Sequence, residues 1–502
     1  MSTLTGNTLL PGKTAELTAS GAVAAGKPVI LNSAGTVTQV GETVYSEDLG
    51  DPENVASTAY EAYHGPFITY DSTNDKVVAV WWRSSDKYGF AAVGTVSGDS
   101  ISWGTPAAFL STAGDEVLCA AHDGTNNKIV ISYSQGGGSG ANYGWCVVGT
   151  VSGTSISFGT GVVSSSVWTP RTYVSWDPGA GKMVVMNKQY PNGGKVAVGT
   201  VSGTSISYGT FVQFTSSNNN DNLSSYYDSN VGKTVLVWNE NTGHARVASV
   251  SGTAITLGTD NSFYSASVFA LYTTYDTTAK KGIVTWTDQA SPKYGKAAVI
   301  SVSGTTVTVG TPTTYSSVST GTGEKGHSCH YAGDGANKTV IAYSLDAGST
   351  SSNLPHYVLA TLSGTTLSYT SPARLYTDNA GGYKILGCNT KNGVVVLIHV
   401  PAATVGDLID NYMYTIVYQV AASITNLTTA NFLGIADEAI ADTAVGSISI
   451  KGGLATAGLS SLTPGTDYYT QGDSTINTTS TSPAVKLGKA LSATALSLEY
   501  RS

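Results

Sequence analysis

Charge is scarce in this chain. Asp, Glu, Lys and Arg make up 12% of its 502 residues, about half the usual share for a soluble protein. The 25 Lys and Arg are scattered and the formal net charge is −8. No basic stripe exists, so nucleic acid is excluded as a partner, because phosphate binding needs clustered cations. Cysteine is also rare. Cys119, Cys146, Cys329 and Cys388 have the spacing of neither a zinc site nor a disulfide framework. Each falls in an expected strand, where a buried thiol packs as a small hydrophobe. The start, Met1-Ser2-Thr3-Leu4-Thr5, lacks a basic segment followed by an apolar core, so no secretory signal is expected. No run approaches the roughly 18 apolar residues of a membrane helix, which argues against membrane insertion. The expectation is synthesis in a cytoplasm, with any extracellular role reached by assembly into something released. Heptads are missing too, so a homo-oligomer would assemble through β-surfaces.

What the chain has is repetition. Hydrophobic residues reach 41% and there are 58 glycines, the texture of an all-β protein with many tight turns rather than of a disordered one. The phrase Val93-Gly-Thr-Val-Ser-Gly98-Asp-Ser-Ile-Ser-Trp-Gly104 returns around Gly153 and Gly203, and more loosely around Gly252, Gly304 and Gly364. It reads as two alternating strands joined by a Ser-Gly-Thr type of turn, a hairpin signature. A second phrase precedes each copy, as in Tyr70-Asp71-Ser-Thr-Asn-Asp-Lys76-Val-Val-Ala-Val-Trp81. Its other copies centre on Asp123, Asp177, Asp228, Asp276 and Asp334, with a degenerate seventh at Asn389. The unit is thus four strands in roughly 50 residues, the period of a propeller blade.

The second phrase occurs seven times and the hairpin phrase six. The missing half is expected at Ser33–Ser46, whose Gly35-Thr-Val-Thr-Gln-Val-Gly41 resembles the outer strand at Gly304–Gly310. The expected fold is therefore all-β: a seven-bladed β-propeller over 33–420, closed by an N-terminal strand near 36–46. A small β-domain is built from the two termini, 1–32 and 421–502. Closure of this kind removes open sheet edges.

A family resemblance enters at the two ends. The tail stretch 458–492, with Leu462-Thr-Pro-Gly-Thr-Asp-Tyr-Tyr-Thr-Gln471 and Val485-Lys-Leu-Gly-Lys489, resembles a module near the ends of tailed-bacteriophage fibre and virion surface proteins. The head stretch 21–40 is similar to the start of such proteins. The repeat at 198–210 resembles repeats in phage virion structural proteins. The resemblance implies a virion component, attached to other virion proteins through the terminal module, and it carries no catalytic residue over.

No set of residues announces chemistry. A catalytic carboxylate pair should be unique in a ring, whereas Asp71, Asp123, Asp177, Asp228, Asp276 and Asp334 recur once per repeat. An Asp in a tight turn accepts bonds from backbone N–H groups two residues on, and Lys76, Lys128, Lys182, Lys233 and Lys338 are expected across the same turn. The Asp71–Asp75 loop offers oxygens for calcium but is too short for an EF-hand. His327 and His330, three apart, lie in strand and loop sequence rather than on a helix. The turns do not match the Ser-x-Asp-x-Gly-x-Thr-Trp pattern of sialidase-type propellers. The arginines are Arg83, Arg171, Arg246, Arg374 and Arg501, so a three-arginine carboxylate clamp needs three of the first four to converge. No Ser/His/Asp set, phosphate loop or dinucleotide fingerprint is evident. Neither a cofactor nor a metal is implied.

The connections after the second and fourth strands vary in length and content, and variable loops on a rigid scaffold are where recognition lives. The candidate ligand-binding residues are Arg83, Asp86, Tyr88, Tyr143, Trp168, Tyr190 and Tyr294. Rings that stack and amides that bond hydroxyls suit a host-surface glycan or protein. The expectation is a non-enzymatic virion protein, a tail fibre or capsid-surface decoration, made in the host cytoplasm and displaying a recognition propeller. The alternative is a propeller glycosidase or sialidase acting on host glycans.

Overall fold

The computed structural model describes residues 8–10, 13–56, 66–136, 142–219, 222–290, 292–318, 320, 327–333, 335–345, 355–375, 382–401, 412–480 and 483–499. Among them every regular element is a strand. The chain divides into two compact units, one from 1–45 with 423–502 and the other from 46–422.

The larger unit repeats one sheet. In its first copy Phe67–Asp71, Lys76–Trp82, Gly89–Ser97 and Ser100–Trp103 lie side by side and antiparallel, and a fifth strand, Ala107–Leu110, also pairs with the third. Six more sheets share this order. They begin at Gly114–Asp123, Arg171–Asp177, Leu223–Asp228, Val268–Asp276, His327–Ala332 and Gly382–Asn389. The sequence led us to expect four strands per repeat. The fifth arises because the outer segment breaks at a glycine such as Gly104 and returns along the other half of the third strand.

Second strands such as Val77–Trp82 are buried on both faces, since each sheet is sandwiched between two others. One apolar cluster joins the first and second sheets through Val78, Val80, Trp82, Ile129 and Ile131. Equivalent clusters join the later sheets in chain order. The circuit closes where Ile68, Val77, Ala79 and Trp81 pack against Leu386, Val396, Ile398 and Val417 of the last sheet. The result is a propeller-like array.

The closing segment is not the one expected. Residues 36–46 do not complete the last sheet: Val37–Gln39 pairs with Pro28–Leu31 in the terminal unit. Closure comes from Asp48–Leu49 against Tyr418–Gln419 and from Glu53–Asn54 against Tyr414–Thr415. The Tyr418 hydroxyl donates to Glu47 at 2.7 Å, and the Trp103 indole N–H of the first sheet donates to Thr415 at 3.1 Å. The 36–46 stretch carries the hairpin texture, but it is used in a different hairpin.

A repeated close approach holds neighbouring sheets in register. The N–H groups of Gly104, Gly159, Gly209, Gly258 and Gly310 each donate to the third strand of their own sheet at 2.8–2.9 Å. A β-carbon on any of the first four would overlap the carbonyl oxygen of the next sheet's turn, at Thr154, Thr204, Thr253 and Thr305. Gly50, in the closing segment, donates to Val417 in the same way and faces the Asp99 carbonyl of the first sheet. The sixth sheet has Thr370 at this position, with its N–H on Leu359. The seventh sheet brings no Ser-Gly turn there, so nothing forbids a side chain. The turn glycines themselves, such as Gly98 and Gly203, have φ near +60°, which is natural for glycine at the first central position of a two-residue hairpin turn.

In the terminal unit, head and tail share a six-stranded sheet. Thr14–Thr18 pairs with Val445–Ile450, and Pro28–Leu31 pairs with Phe432–Ala436. A second sheet, of Leu454–Ala455, Ala495–Leu498, Ala484–Ser492, Asp467–Gln471 and Ile476–Asn477, comes from the tail alone.

The glycine contact gives a direct test. Gly209→Ala should destabilise the larger unit by about 1–3 kcal/mol through overpacking against the Thr253 carbonyl. Thr370→Gly, at the equivalent place, should lose about 1 kcal/mol, from its hydroxyl bond to Leu359. A Gly209→Ala loss below about 1 kcal/mol in denaturant unfolding would count against the close-packing account.

Candidate binding surface

Antiparallel pairing decides which loops share an edge. In the first six sheets the first and third strands end at the short repeated turns, and the second and outer strands end at the opposite edge.

At the short-turn edge the Asp residues are structural. Asp71 accepts the N–H groups of Thr73 and Asn74 at 3.1 and 3.0 Å and the Asn74 side-chain amide at 2.8 Å. Asp123 repeats all three bonds. Asp177, Asp228 and Asp276 close their turns likewise, while Asp334 lies outside the described residues. Lys76, Lys128, Lys182 and Lys233 stand opposite these Asp residues in register, and Lys338 stands opposite Ala332. The amines of Lys76, Lys233 and Lys338 turn to hydroxyls on the third strand, Thr95, Ser249 and Thr361, at 2.6–3.0 Å. Asp75 bonds Tyr70 and Lys391 instead of converging with Asp71 on a cation.

The fold also brings together a triad that the linear sequence did not show. The His122 Nε2 lies 3.1 Å from Asp71, and its Nδ1 lies 3.4 Å from the Ser72 hydroxyl. The same position in other sheets explains it. Tyr275 donates to Asp228 at 2.9 Å, Tyr331 donates to Thr278 at 2.8 Å, and the Tyr227 hydroxyl sits over Gly179. In four sheets the residue at this place, His122, Tyr227, Tyr275 or Tyr331, reaches the preceding sheet's turn. Burial by itself would raise the Asp71 carboxyl. Hydrogen bonds from His122 and Asn74 outweigh it and hold the pKa at about 2.

His327 and His330 point to opposite faces of one strand and cannot share a metal. Burial pushes their pKa values down, to about 4 and about 3, so both are neutral imidazoles. Among the described residues no group of three His, Cys, Asp or Glu is placed to hold a metal ion.

The opposite edge carries the seven candidate binding residues, and the structure sorts them into separate groups. Arg83 and Asp86 satisfy each other. The guanidinium donates to both carboxylate oxygens and lies 4.5 Å from the Phe90 ring centre, and Asp86 also accepts the Tyr88 N–H at 3.0 Å. These two staple their own loop. Tyr143 is half-buried within a strand, in register with Gln135, and not in a loop. Tyr294 is half-buried, and its carbonyl accepts the Asp288 N–H at 2.9 Å. Residues 137–141, 220–221, 291 and 321–326 of the variable loops lie outside the described residues.

Trp168 and Tyr190 do come together. Their ring centres are 4.9 Å apart at 64°, and they are 42% and 47% exposed. The two rings form the sides of an open corner. The loop beneath them is fixed by groups that sequence reasoning missed. Ser134 donates to the Thr169 carbonyl at 2.6 Å, Thr169 donates to Ser165 at 2.7 Å, and Gln189 donates to Ser165 at 3.1 Å. All four side chains are buried. The Tyr190 N–H donates to the Trp168 carbonyl at 2.8 Å. Amides continue the surface: Asn218 accepts the Gly193 N–H at 3.1 Å and Gln213 donates to the Asn192 carbonyl at 3.0 Å.

Arg83, Arg171, Arg246 and Arg374 sit in four different sheets. Arg246 is tied to the Gly258 and Phe214 carbonyls at 2.5 and 3.1 Å, and Arg171 donates to the Pro170 carbonyl at 2.9 Å.

No protein-family model matches the sequence. No curated protein matches it either. Solved structures do resemble it. The BP39L lectin from Burkholderia pseudomallei superposes with a TM-score of 0.56 at 11% identity, covering 73% of this chain and 98% of the lectin. A fungal alcohol oxidase of the AA5 family, in complex with copper, superposes with a TM-score of 0.50 at 10% identity, covering 91% of this chain and 93% of the oxidase. At such identities the likeness is one of fold.

Asp71 offers a test of the inter-sheet lock. Asp71→Asn keeps an oxygen to close the turn and removes the charge. A carboxyl held below its ordinary value stabilises the fold above that value and loses the contribution as pH falls through its folded pKa. At neutral pH the variant should be about 1–2 kcal/mol less stable, and the gap should shrink as pH falls from about 4 to about 2. A gap that stays constant in acid titrations of unfolding would contradict a charge-dependent lock.

Proposed function

We propose that the seven sheets are the blades of a seven-bladed propeller and that the protein is a non-enzymatic glycan-recognition component of a tailed-bacteriophage particle. The observation that carries the binding reading is the Trp168–Tyr190 corner. Two large rings are held out into solvent by a loop whose own hydroxyls are buried and bonded. Exposing such rings is unfavourable, and a rigid, amphipathic, steeply inclined pair is suited to stacking one face of a sugar while neighbouring amides take its hydroxyls. The fold likeness to a lectin supports this reading.

The virion role rests on the resemblance of the head and tail to phage surface proteins. It is supported by the terminal unit's surface. Of the nine large hydrophobics exposed among the described residues, Leu31, Val44, Val445, Leu454 and Leu491 lie in this unit, about a quarter of the chain. Apolar groups placed there suit attachment to other virion proteins. The glycosidase or sialidase alternative gains no support from the arginines, of which Arg83, Arg171 and Arg246 are engaged with local partners.

A glycan array tests the binding reading. Wild-type protein should bind a restricted set of glycans, and Trp168→Ala and Tyr190→Ala should each weaken that binding about tenfold or more, which is roughly 1.4 kcal/mol, with the melting temperature unchanged. Retained binding in both variants would remove the corner from the site. Mass spectrometry of purified particles tests the virion role, which fails if the chain is absent from them.

A further inference from the structure

A cavity of about 440 Å³ runs between the first strands of all seven sheets. It is separate from the loop edge that carries Trp168 and Tyr190. Its wall contains Phe67, Tyr173 and Tyr272 with the hydroxyls of Thr69, Ser175 and Thr274 and the imidazoles of His122 and His330, and among the described residues no Asp, Glu, Lys or Arg side chain lines it. The nearby Asp71 is turned into its own turn and bonded to His122.

The pattern of this wall differs from the rest of the repeat. The Asp turns, the opposed Lys and the glycine contacts recur from sheet to sheet because each copy needs them. Two residues before the Asp position the seven inner strands carry Thr69, Ala121, Ser175, Tyr226, Thr274, His330 and Gly387 in turn. Adjacent sheets never agree at this position. Some of these side chains also touch the next sheet: the Ser175 and Ser225 hydroxyls lie 2.6 Å apart, and Thr274 accepts the Tyr331 N–H at 3.0 Å. Their variety gives the cavity an asymmetric shape. Gly387 contributes to that shape: a β-carbon there would press on the His330 ring.

We propose that this axial cavity is a binding site for a small uncharged cyclic polyol, such as a neutral monosaccharide. The chemistry selects the class. Among the described residues the wall has no Lys or Arg to pair with a phosphate or carboxylate, and no Asp or Glu to pair with an amine or a metal ion. Rings with interspersed hydroxyls match the alternating apolar faces and hydroxyl edges of a sugar. The volume falls within the range of small-molecule pockets, about 300–1,000 Å³.

Calorimetric titration of the full chain with methyl α-glucoside, methyl β-galactoside and myo-inositol tests it, with inorganic phosphate as the charged control. At least one polyol should bind saturably with one site per chain, and phosphate should not. Ala121→Tyr, which fills the cavity, should weaken that binding at least about tenfold. Absence of saturable binding to all three polyols, or affinity unchanged by Ala121→Tyr, overturns the proposal. Should that variant fail to fold, crystals of the wild-type protein soaked in the polyol that bound decide the question. Density for the polyol in the axial cavity supports the site, and ordered water alone there refutes it.

Discussion

A backbone carbonyl pressed against a glycine sets the spacing of the larger unit. In sheet after sheet the Ser-Gly turn of one copy reaches the glycine that ends the outer strand of the copy before. Glycine is required there because a β-carbon would occupy the space of the carbonyl oxygen. With the turn seated, the apolar second strands of adjacent sheets meet along their length, and clusters such as Val78–Trp82 with Ile129–Ile131 exclude water. Burial of each such side chain contributes roughly 1.5–3 kcal/mol, and the glycine contact fixes where that burial occurs. Thr370 shows the same rule from the other side: where no turn arrives, the glycine is not kept.

The second lock acts nearer the axis. The residue before the Asp position reaches the preceding turn by a phenol in three sheets, at Tyr227, Tyr275 and Tyr331, and by the His122 imidazole in one. These two series, one outer and one inner, hold each sheet at two radii. A scaffold held in this way leaves the opposite edge free to vary, and there the loops follow individual solutions. One staples itself with an Arg83–Asp86 pair. Another buries Ser134, Thr169, Ser165 and Gln189 to present Trp168 and Tyr190. Close in sequence terms, the two loops differ in what they leave exposed. The first spends its charges on each other, and the second turns its polar groups inward and its rings outward.

The difference between repeated and individual positions is also the most useful guide to function. The Ser72–His122–Asp71 grouping has the composition of a catalytic triad, yet its place in the series of inter-sheet contacts accounts for it. The wall of the axial cavity has the opposite character, with adjacent sheets contributing different side chains to one shared space. The terminal unit follows neither rule. Its main sheet is woven from strands more than 400 residues apart, as in the pairing of Glu16 with Ser447.

The repeat, the strand pairs within it and the structural role of the Asp turns were legible in the residues themselves. Period-2 alternation, β-branched runs and turn glycines act over a few residues, and local steric and hydrogen-bonding rules suffice to read them. The partner of the last sheet was not legible. Residues 36–46 carry the alternating pattern and the turn glycine, whereas 48–54, with Asp48, Asp51 and Pro52, carry no strand signature. Only tertiary structure gave the closing pairs to the weaker segment, because the last sheet needs just two short stretches on either side of Gly50, and the stronger segment is already paired with Pro28–Leu31. The same holds for the site. Trp168 and Tyr190 could be nominated from their loops, but their meeting at 4.9 Å depends on buried polar side chains from three strands and a loop that no local pattern brings together. Sequence determined what each segment prefers to be, since that is settled by neighbours along the chain. Tertiary structure decided which segments meet, since that depends on space and on competition among distant partners.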